Sequence, residues 1–429
     1  MEKIINPVKK INGTIEIPGD KSISHRALIL GSMCEGIVNI TNLSTGDDCN
    51  STIACLKKLG VKISRDGITS IEGKGLSGFQ EPADILDAQN SGTTIRLLVG
   101  LLAGQPFYTV LTGDDSLKRR PMNRVVSPLI DMGAKICGRD NNRVPPLTII
   151  GGNLQAISYD MPIASAQVKS AILIAGMYGK GTTRIIEKHP TRDHTEKILK
   201  FLGASMDISQ NTIEIASGKL TPRDIIVPGD ISSAIFFIVA TLLLPSSHLI
   251  IRKVGLNKTR LGALDVLCSM GASLETIKKS INNEEPCGDI IASSSKLKPL
   301  IIDEYIMPSL IDEIPILSLA ATQAEGTSII SGASELRVKE SDRLKAIASQ
   351  LKLMGADIEE KADGLIIHGP TPLSGAGVDS FNDHRIAMML AIAGLIADGP
   401  TTIKNADSVI ISFPEFYDLL GDITRGITC

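Results

Sequence analysis

Along the chain, hydrophobic and polar positions repeat one design six times. Its first form is IPGDKSISHRALILGSMCEG, Ile17 to Gly36. Turn residues Pro18 and Gly19 lead into Asp20, Lys21, Ser22 and Arg26, and an unbroken apolar helix follows that is predicted to end at a glycine. A helix that is apolar on every side belongs inside a core, so only its N-terminus is left to meet solvent or a ligand. That end carries N–H groups with no helical partner and the positive pole of the helix dipole, which suits an anion. The design returns as NSGTTIRLLVGLLAG from Asn90, ASAQVKSAILIAGMYGKG from Ala164 and DISSAIFFIVATLLL from Asp230. It returns again as SLIDEIPILSLAATQAEG from Ser309 and FNDHRIAMMLAIAGLIADG from Phe381. Starts near 21, 90, 164, 230, 311 and 381 recur roughly every 70 residues, so the chain reads as a six-fold repeat.

A second series interleaves with the first. A helix end, a glycine and the opening of a strand occur at LKKLGVKI (Gly60), LIDMGAKI (Gly133), LKFLGASM (Gly203), LCSMGASL (Gly271), LKLMGADI (Gly355) and YDLLGDI (Gly421). Glycine just past a helix tolerates the left-handed conformation that ends it, and alternating β-type residues then begin a strand. Each repeat is therefore predicted to hold one amphipathic helix, one polar-headed apolar helix and several strands.

At 429 residues the chain is too long for one ordinary core and suits two domains. A near duplicate marks where they divide. Ile17-Pro-Gly-Asp-Lys-Ser22 and Val227-Pro-Gly-Asp-Ile-Ser232 each precede a polar-headed helix. Cutting at both gives three repeats in 21–229, and three in 230–429 that the N-terminal residues 1–20 complete. The two crossings, at 17–22 and 227–232, are expected to act as a hinge, with Pro and Gly absorbing the change in dihedral angles. Two unrelated tight turns are the plainer alternative.

Hydrophobic residues make up 43% and charged residues 21%, the balance of a soluble globular protein. Aromatics are only 3%, with no Trp, and the formal net charge is −3; both argue against a nucleic-acid partner. The longest apolar run, near Ala234 to Leu244, is short of a membrane span. Seven cysteines show no metal spacing, and an odd count without a signal peptide points to a reducing cytoplasm, with most of them expected as small core residues.

Cations gather at the polar heads and on polar loops. Lys21, Arg26, Arg96 and Arg385 lie near the heads, Arg120 lies in SLKRRPMNR, Arg192 in HPTRDHTEK, and Lys339 and Arg343 in SELRVKESDRL. If the heads of each domain converge on an interdomain cleft, a slightly acidic protein acquires a local anion trap. Each element also has a bland reading. Arg26 and Arg96 can pair with nearby carboxylates, ELRVKESDRL can salt-bridge along a helix face, DHR at 383–385 can serve as a cap, and His189 and His194 can be structural.

Taken together, GDKSISHRA at 19–27, NSGTTIRLL at 90–98, KRRPMNR at 118–124, ASAQVKSA at 164–171, IDEIPIL at 311–317, LRVKESDRL at 336–344 and NDHRIAM at 382–388 resemble the 5-enolpyruvylshikimate-3-phosphate (EPSP) synthase family, in order and over almost the whole chain. The resemblance implies an α/β fold of two inside-out α/β domains, each of three βαβαββ units. It implies transfer of the enolpyruvyl group of phosphoenolpyruvate to the 5-hydroxyl of shikimate 3-phosphate, with no metal or organic cofactor. It names glyphosate as an inhibitor. A monomer is expected.

By motif, the resemblance assigns Lys21, Ser22, Arg26, Ser165, Gln167, Arg192, Asp312 and Lys339 to shikimate 3-phosphate. Lys21, Asn90, Gly92, Arg120, Gln167, Arg343, His384 and Arg385 fall on the phosphoenolpyruvate side. Asp312 is the base for the 5-hydroxyl and Glu340 the proton donor to C3, with Lys21 reaching both substrates; Glu340 needs burial or a like-charged neighbour to keep a proton. Two positions depart from the common pattern: Leu97 stands where many members have Pro, and Ile411 where they have a phosphate-binding Lys. TRDHTEK and SFPEF resemble the family's second sequence class. The same-fold rival, UDP-N-acetylglucosamine enolpyruvyl transferase, would show Lys-Asn at Lys21-Ser22 and a reactive cysteine in GDDSLKRRPMNR, which has none. A non-catalytic polyanion-binding scaffold is the alternative from another class.

Overall fold

The structure is a computed structural model that describes residues 1–425; Cys429 lies outside them. The six apolar stretches are helices, Lys21–Ser32, Gly92–Ala103, Ala166–Gly176, Ile231–Leu243, Ile314–Thr322 and His384–Ile396, here called the first to the sixth. Their bodies are buried on all faces, as their uniform apolarity requires. Five carry a side-chain cap on an early N–H group: Asp20, Ser91, Ser165, Asp230 and Asp383. The first helix does not end at Gly36. It stops at Ser32 with Met33 in a right-handed cap, and Gly36 already lies in the strand Glu35–Thr41.

In the second series, Gly60, Gly133, Gly203, Gly271 and Gly355 have φ between 85° and 101°, the left-handed end that glycine permits. Gly421 does not belong with them, because it sits inside the helix Phe416–Arg425. No hairpin needs to start there. Lys3–Ile5 already fills the antiparallel place beside Thr401–Lys404, so the chain instead lays Phe416, Leu420 and Ile423 against the core.

Each repeat builds one sheet on a common plan. Leu86–Asp87 runs parallel to Tyr108–Thr112, which pairs antiparallel with Val144–Ile150, itself antiparallel to Lys135–Gly138. In this repeat, as in three others, the strand before the apolar helix pairs with the strand after it. In the remaining two the partners are exchanged. Asn12–Glu16 precedes the first helix but pairs with His248–Gly255, which follows the fourth; Ile225–Ile226 precedes the fourth but pairs with Glu35–Thr41, which follows the first. IPGD and VPGD stand at these two exchanges.

The chain divides into two compact units. One, the N-terminal unit, is Gly19–Val227 with the short insertion Ile281–Glu285; the other, the C-terminal unit, is Met1–Pro18, Pro228–Ser280 and the chain from Pro286. Each has its own continuous apolar core and three sheets. Helices lie inside and sheets outside, with Ile37, Ile68, Ile150 and Ile329 on exposed strand faces, so this is an inside-out α/β arrangement. Among the described residues no helix is long and apolar enough to cross a membrane.

Gly19 opens the N-terminal unit. A Cβ there would lie 1.7 Å from the carbonyl oxygen of Asn42, whose side-chain amide donates to the Val227 carbonyl at 3.0 Å. The obstacle is backbone, which cannot turn aside as a side chain can. Gly19→Ala is therefore expected to destabilise the protein by about 3 kcal/mol or more, the upper range for overpacking. Urea unfolding checks this, and a wild-type midpoint would contradict it.

Candidate active site

In the N-terminal unit the heads of the three apolar helices are tied to one another. Lys21, first residue of the first helix, lies with its ammonium 2.8 Å from Asp48. One turn on, the buried Arg26 donates to the Ser22 carbonyl at 2.8 Å, to Ser170 Oγ of the third helix at 2.8 Å and to Thr195 Oγ1 at 2.6 Å. Arg96 of the second helix reaches Gln167 Oε1 at 2.6 Å, and Gln167 returns a bond to Thr93 at 2.9 Å. Arg120 donates to Asn90 Oδ1 at 2.7 Å, and a Cβ on Gly92 would lie 3.0 Å from Arg96 Nη1 and 3.3 Å from Arg120 Nη1. Two guanidinium groups thus face a helix start that has no side chain, beside a third helix capped by Ser165.

Below these heads runs a line of hydroxyls. His25 Nδ1 lies 2.7 Å from Thr52 Oγ1, which lies 2.7 Å from Thr94 Oγ1, and Thr94 Oγ1 donates to the capping Ser91 Oγ at 2.8 Å. Burial, then the nearby Lys21 and Arg26, hold the His25 imidazole well below its ordinary pKa, so it is neutral and contributes no charge to the heads. Cys49 is beside Asp48, but burial pushes its thiol up to about 12, which makes it a space-filler and not a nucleophile. Cys34, Cys55 and Cys287 are also buried, whereas Cys137 and Cys268 are exposed.

The C-terminal unit is organised around Arg343, 1% exposed at the start of the helix Arg343–Leu353. Its Nε donates to Asp383 Oδ2 at 2.8 Å and its Nη2 to Glu340 Oε2 at 2.6 Å, while its Nη1 is 3.7 Å from Asp312 Oδ1. Burial alone would favour a neutral guanidine; Asp383, Glu340 and Asp312 together override it and hold the proton more firmly than on an ordinary arginine. Arg385 approaches Asp312 from the other side, with Nη2 3.8 Å from Oδ2 and Nη1 donating to the Asp312 carbonyl at 3.0 Å. Its Nη1 also lies 4.0 Å from Glu313, which accepts from Ser232 at the head of the fourth helix. The heads of the fourth and sixth helices and the approach to the fifth are thereby joined. His384 is buried at the first position of the sixth helix, and Lys339 is half-buried next to Glu340 in sequence.

LRVKESDRL is not one helix. A 3-10 turn, Ser334–Val338, ends before Lys339, and the break lets Glu340 fold back on Arg343. Glu340 lacks deep burial and shares its guanidinium with two other carboxylates, Asp312 and Asp383.

Sequence reading missed several residues of these clusters. Asp383, treated as a cap, is also the anchor of Arg343. Lys169, inside ASAQVKSA, is 1% exposed and lies 2.9 Å from Glu187 and 2.5 Å from Glu196. Burial opposes its charge, but the two carboxylates outweigh that and raise its pKa. Glu196 is pushed up by burial against the pull of Lys169, as expected where two buried carboxylates share one ammonium. Glu285 lies 2.6 Å from His194 Nδ1, both buried, and a match 91 positions apart leaves no local signal. Asp193, His194 and Glu285 offer three ligand atoms within 4.8 Å, yet His194 is already on Glu285 and Asp193 on Lys197 at 2.6 Å. Ile411, at the place of the missing lysine, closes the 3-10 turn Ala406–Ile411, and Leu97 is fully buried in the second helix.

The depressed pKa of His25 has a measurable consequence. In the unfolded chain it takes a proton below about pH 6.5, and in the folded protein it resists doing so. Its contribution is thus intact above that pH and is lost as pH falls toward the folded value, at up to about 1.4 kcal/mol per pH unit. Between pH 7 and pH 5.5 the wild type should therefore lose more stability than His25→Asn in urea titrations. Parallel losses would contradict a buried neutral His25.

Known proteins match this chain in both sequence and fold. A protein-family model described as EPSP synthase (3-phosphoshikimate 1-carboxyvinyltransferase) matches residues 5–420. A relative in Bacillus cytotoxicus, named 3-phosphoshikimate 1-carboxyvinyltransferase, is 50% identical over 417 residues, 97% of this chain and 98% of its own. One of the same name in Thermodesulfovibrio yellowstonii is 52% identical over 425 residues, covering 98% and 99%. A solved structure of EPSP synthase from Acinetobacter baumannii superposes with a TM-score of 0.87 at 41% identity, covering 98% of each chain. With matches of this extent in both sequence and fold, the chain belongs to the EPSP synthase family.

Proposed function

We propose that the two clusters serve one reaction, transfer of the enolpyruvyl group of phosphoenolpyruvate to the 5-hydroxyl of shikimate 3-phosphate with release of phosphate. The observation that carries the assignment of roles is the sharing of Arg343 by Asp312 and Glu340. The chemistry needs a base and an acid. C3 of phosphoenolpyruvate gains a proton while the 5-oxygen, losing its own, bonds to C2; the C2–O bond to phosphate then breaks as C3 gives a proton back.

Asp312 is the base for the 5-hydroxyl. It stands at ion-pair distance from the side-chain nitrogens of both Arg343 and Arg385, which stabilise its charge. Glu340 is the proton donor to C3 and takes a proton back in the second step. When it leaves Arg343, that guanidinium stays placed by its two bonds to Asp383. Glu340 shares Arg343 with Asp312 and Asp383, so the proposed acid and the proposed base meet at one guanidinium.

Anion binding falls to the helix heads. Lys21, Ser22, Arg26, Ser165, Gln167, Arg192 and Lys339 hold shikimate 3-phosphate together with Asp312. Lys21, Asn90, Gly92, Gln167 and Arg120 hold phosphoenolpyruvate, with Arg343, His384 and Arg385. Preorganised donors of this kind stabilise the charge that builds on the leaving phosphate as its C2–O bond breaks. The free cysteines suit a reducing cytoplasm, where we propose the protein acts as a monomer.

Asp312→Asn and Glu340→Gln retain volume and remove proton transfer. Each should lower turnover by roughly two to four orders of magnitude while substrate affinity changes far less. Near wild-type turnover in a folded variant would remove that residue from its role. Gly92→Ala sets a methyl against the far ends of Arg96 and Arg120, which must give by a few tenths of an ångström. The inhibition constant of glyphosate should then rise at least about tenfold, and more than the KM for phosphoenolpyruvate. Equal changes in the two constants would show that Gly92 serves only the turn.

A further inference from the structure

We infer that Glu285 is a positioning residue for shikimate 3-phosphate, acting through His194 on the segment that carries Arg192; the inference rests on the assignment of Arg192 to that substrate. Residues 188–193 link the strand Thr182–Glu187 to the helix His194–Phe201. Lys188, His189 and Pro190 are exposed, so the segment has little packing of its own at its start. Arg192 is flanked by two buried anchors. On one side the Thr191 N–H and hydroxyl donate to Glu187 Oε1 at 3.2 and 2.6 Å; on the other His194 Nδ1 lies 2.6 Å from Glu285 Oε1.

The two anchors differ in origin. Glu187 is local and already shared with Lys169. Glu285 comes from the insertion Ile281–Glu285, whose own place is fixed separately: Asn283 accepts from the Ile226 N–H at 2.9 Å and donates to the Ile226 carbonyl at 2.8 Å. Asn283 and Glu284 have φ of 45° and 67°, the left-handed pair of a tight hairpin turn. Glu285 is thus a fixed post against which His194 is set. An arginine binds an anion through a planar fork, so its backbone must be placed before binding or ordered at the moment of binding, at a loss of affinity. The helix itself is held elsewhere, through Thr195 to Arg26 and Glu196 to Lys169, so removing Glu285 takes away one anchor of the segment ahead of it without dissolving the helix.

The test is a double-mutant cycle read by calorimetric titration of shikimate 3-phosphate into the full-length protein. Arg192→Ala should weaken binding, and Glu285→Ala should weaken it by roughly tenfold, by analogy with outer residues that orient a ligand-binding side chain. In the Arg192→Ala background Glu285→Ala should add nothing further, and the KM for phosphoenolpyruvate should stay within about twofold in the single Glu285 variant. Losses that multiply in the double variant, or unchanged binding in Glu285→Ala, would overturn the inference. If Arg192→Ala itself leaves affinity unchanged, the assignment of Arg192 fails and the positioning role falls with it. Should Glu285→Ala not fold, Glu285→Gln, which keeps the volume but not the charge, runs the same cycle with the same criteria.

Discussion

A helix buried along its whole length satisfies its apolar faces and leaves one unresolved demand, the polar groups of its N-terminus. In this chain that demand recurs six times and is met in five of the helices by an Asp or Ser cap, such as Asp20 and Ser91. Because the bodies of the helices are fixed by close packing, the heads are fixed as well, and so are the cations they carry. Gly100 shows how tight this is: a Cβ there would lie 2.4 Å from the Ala171 carbonyl oxygen, so the second and third helices meet backbone to backbone. Arg96 and Gln167 can span these two helices at 2.6 Å only because the helices approach so closely.

The same constraint explains why the C-terminal unit can hold a buried arginine. An isolated buried charge is costly, and removing one partner of a buried ion pair typically destabilises by about 3 to 5 kcal/mol. Arg343 avoids this by meeting Asp383 at a helix start, where the Arg385 N–H also donates to the same carboxylate at 2.9 Å. One carboxylate therefore caps a helix, neutralises a guanidinium and leaves the rest of that guanidinium to face Asp312 and Glu340. Placement of the buried charges and satisfaction of the helix end are one structural solution.

Much of this was legible in the sequence because it is periodic. Uniform apolarity marks all six inner helices, and five glycines after an amphipathic helix have the backbone conformation their context predicts. Gly421 shared the local pattern, but the strand that would follow it is supplied from the other end of the chain, by Lys3–Ile5. IPGD and VPGD signalled two special turns; that they stand where two strands exchange partners is a pairing fact between residues far apart in the chain, such as Thr14 with Ile250 and Ile40 with Ile225. Site residues within a head motif could be read by resemblance. Lys169 could not, because a lysine inside an apolar helix shows its role only once Glu187 and Glu196 are seen around it. Nor could Glu285, whose partner His194 is distant in sequence and which stands in a polar run that reads as an ordinary turn.

Heads and carboxylates acting together should carry out enolpyruvyl transfer to a phosphorylated shikimate. The most direct measurement is phosphate release from phosphoenolpyruvate by the purified protein, with and without shikimate 3-phosphate, and with UDP-N-acetylglucosamine in its place. Phosphate release should equal the shikimate 3-phosphate consumed, with none from phosphoenolpyruvate alone or with the nucleotide sugar. Release with the nucleotide sugar, or no release with shikimate 3-phosphate in a folded protein, would contradict it.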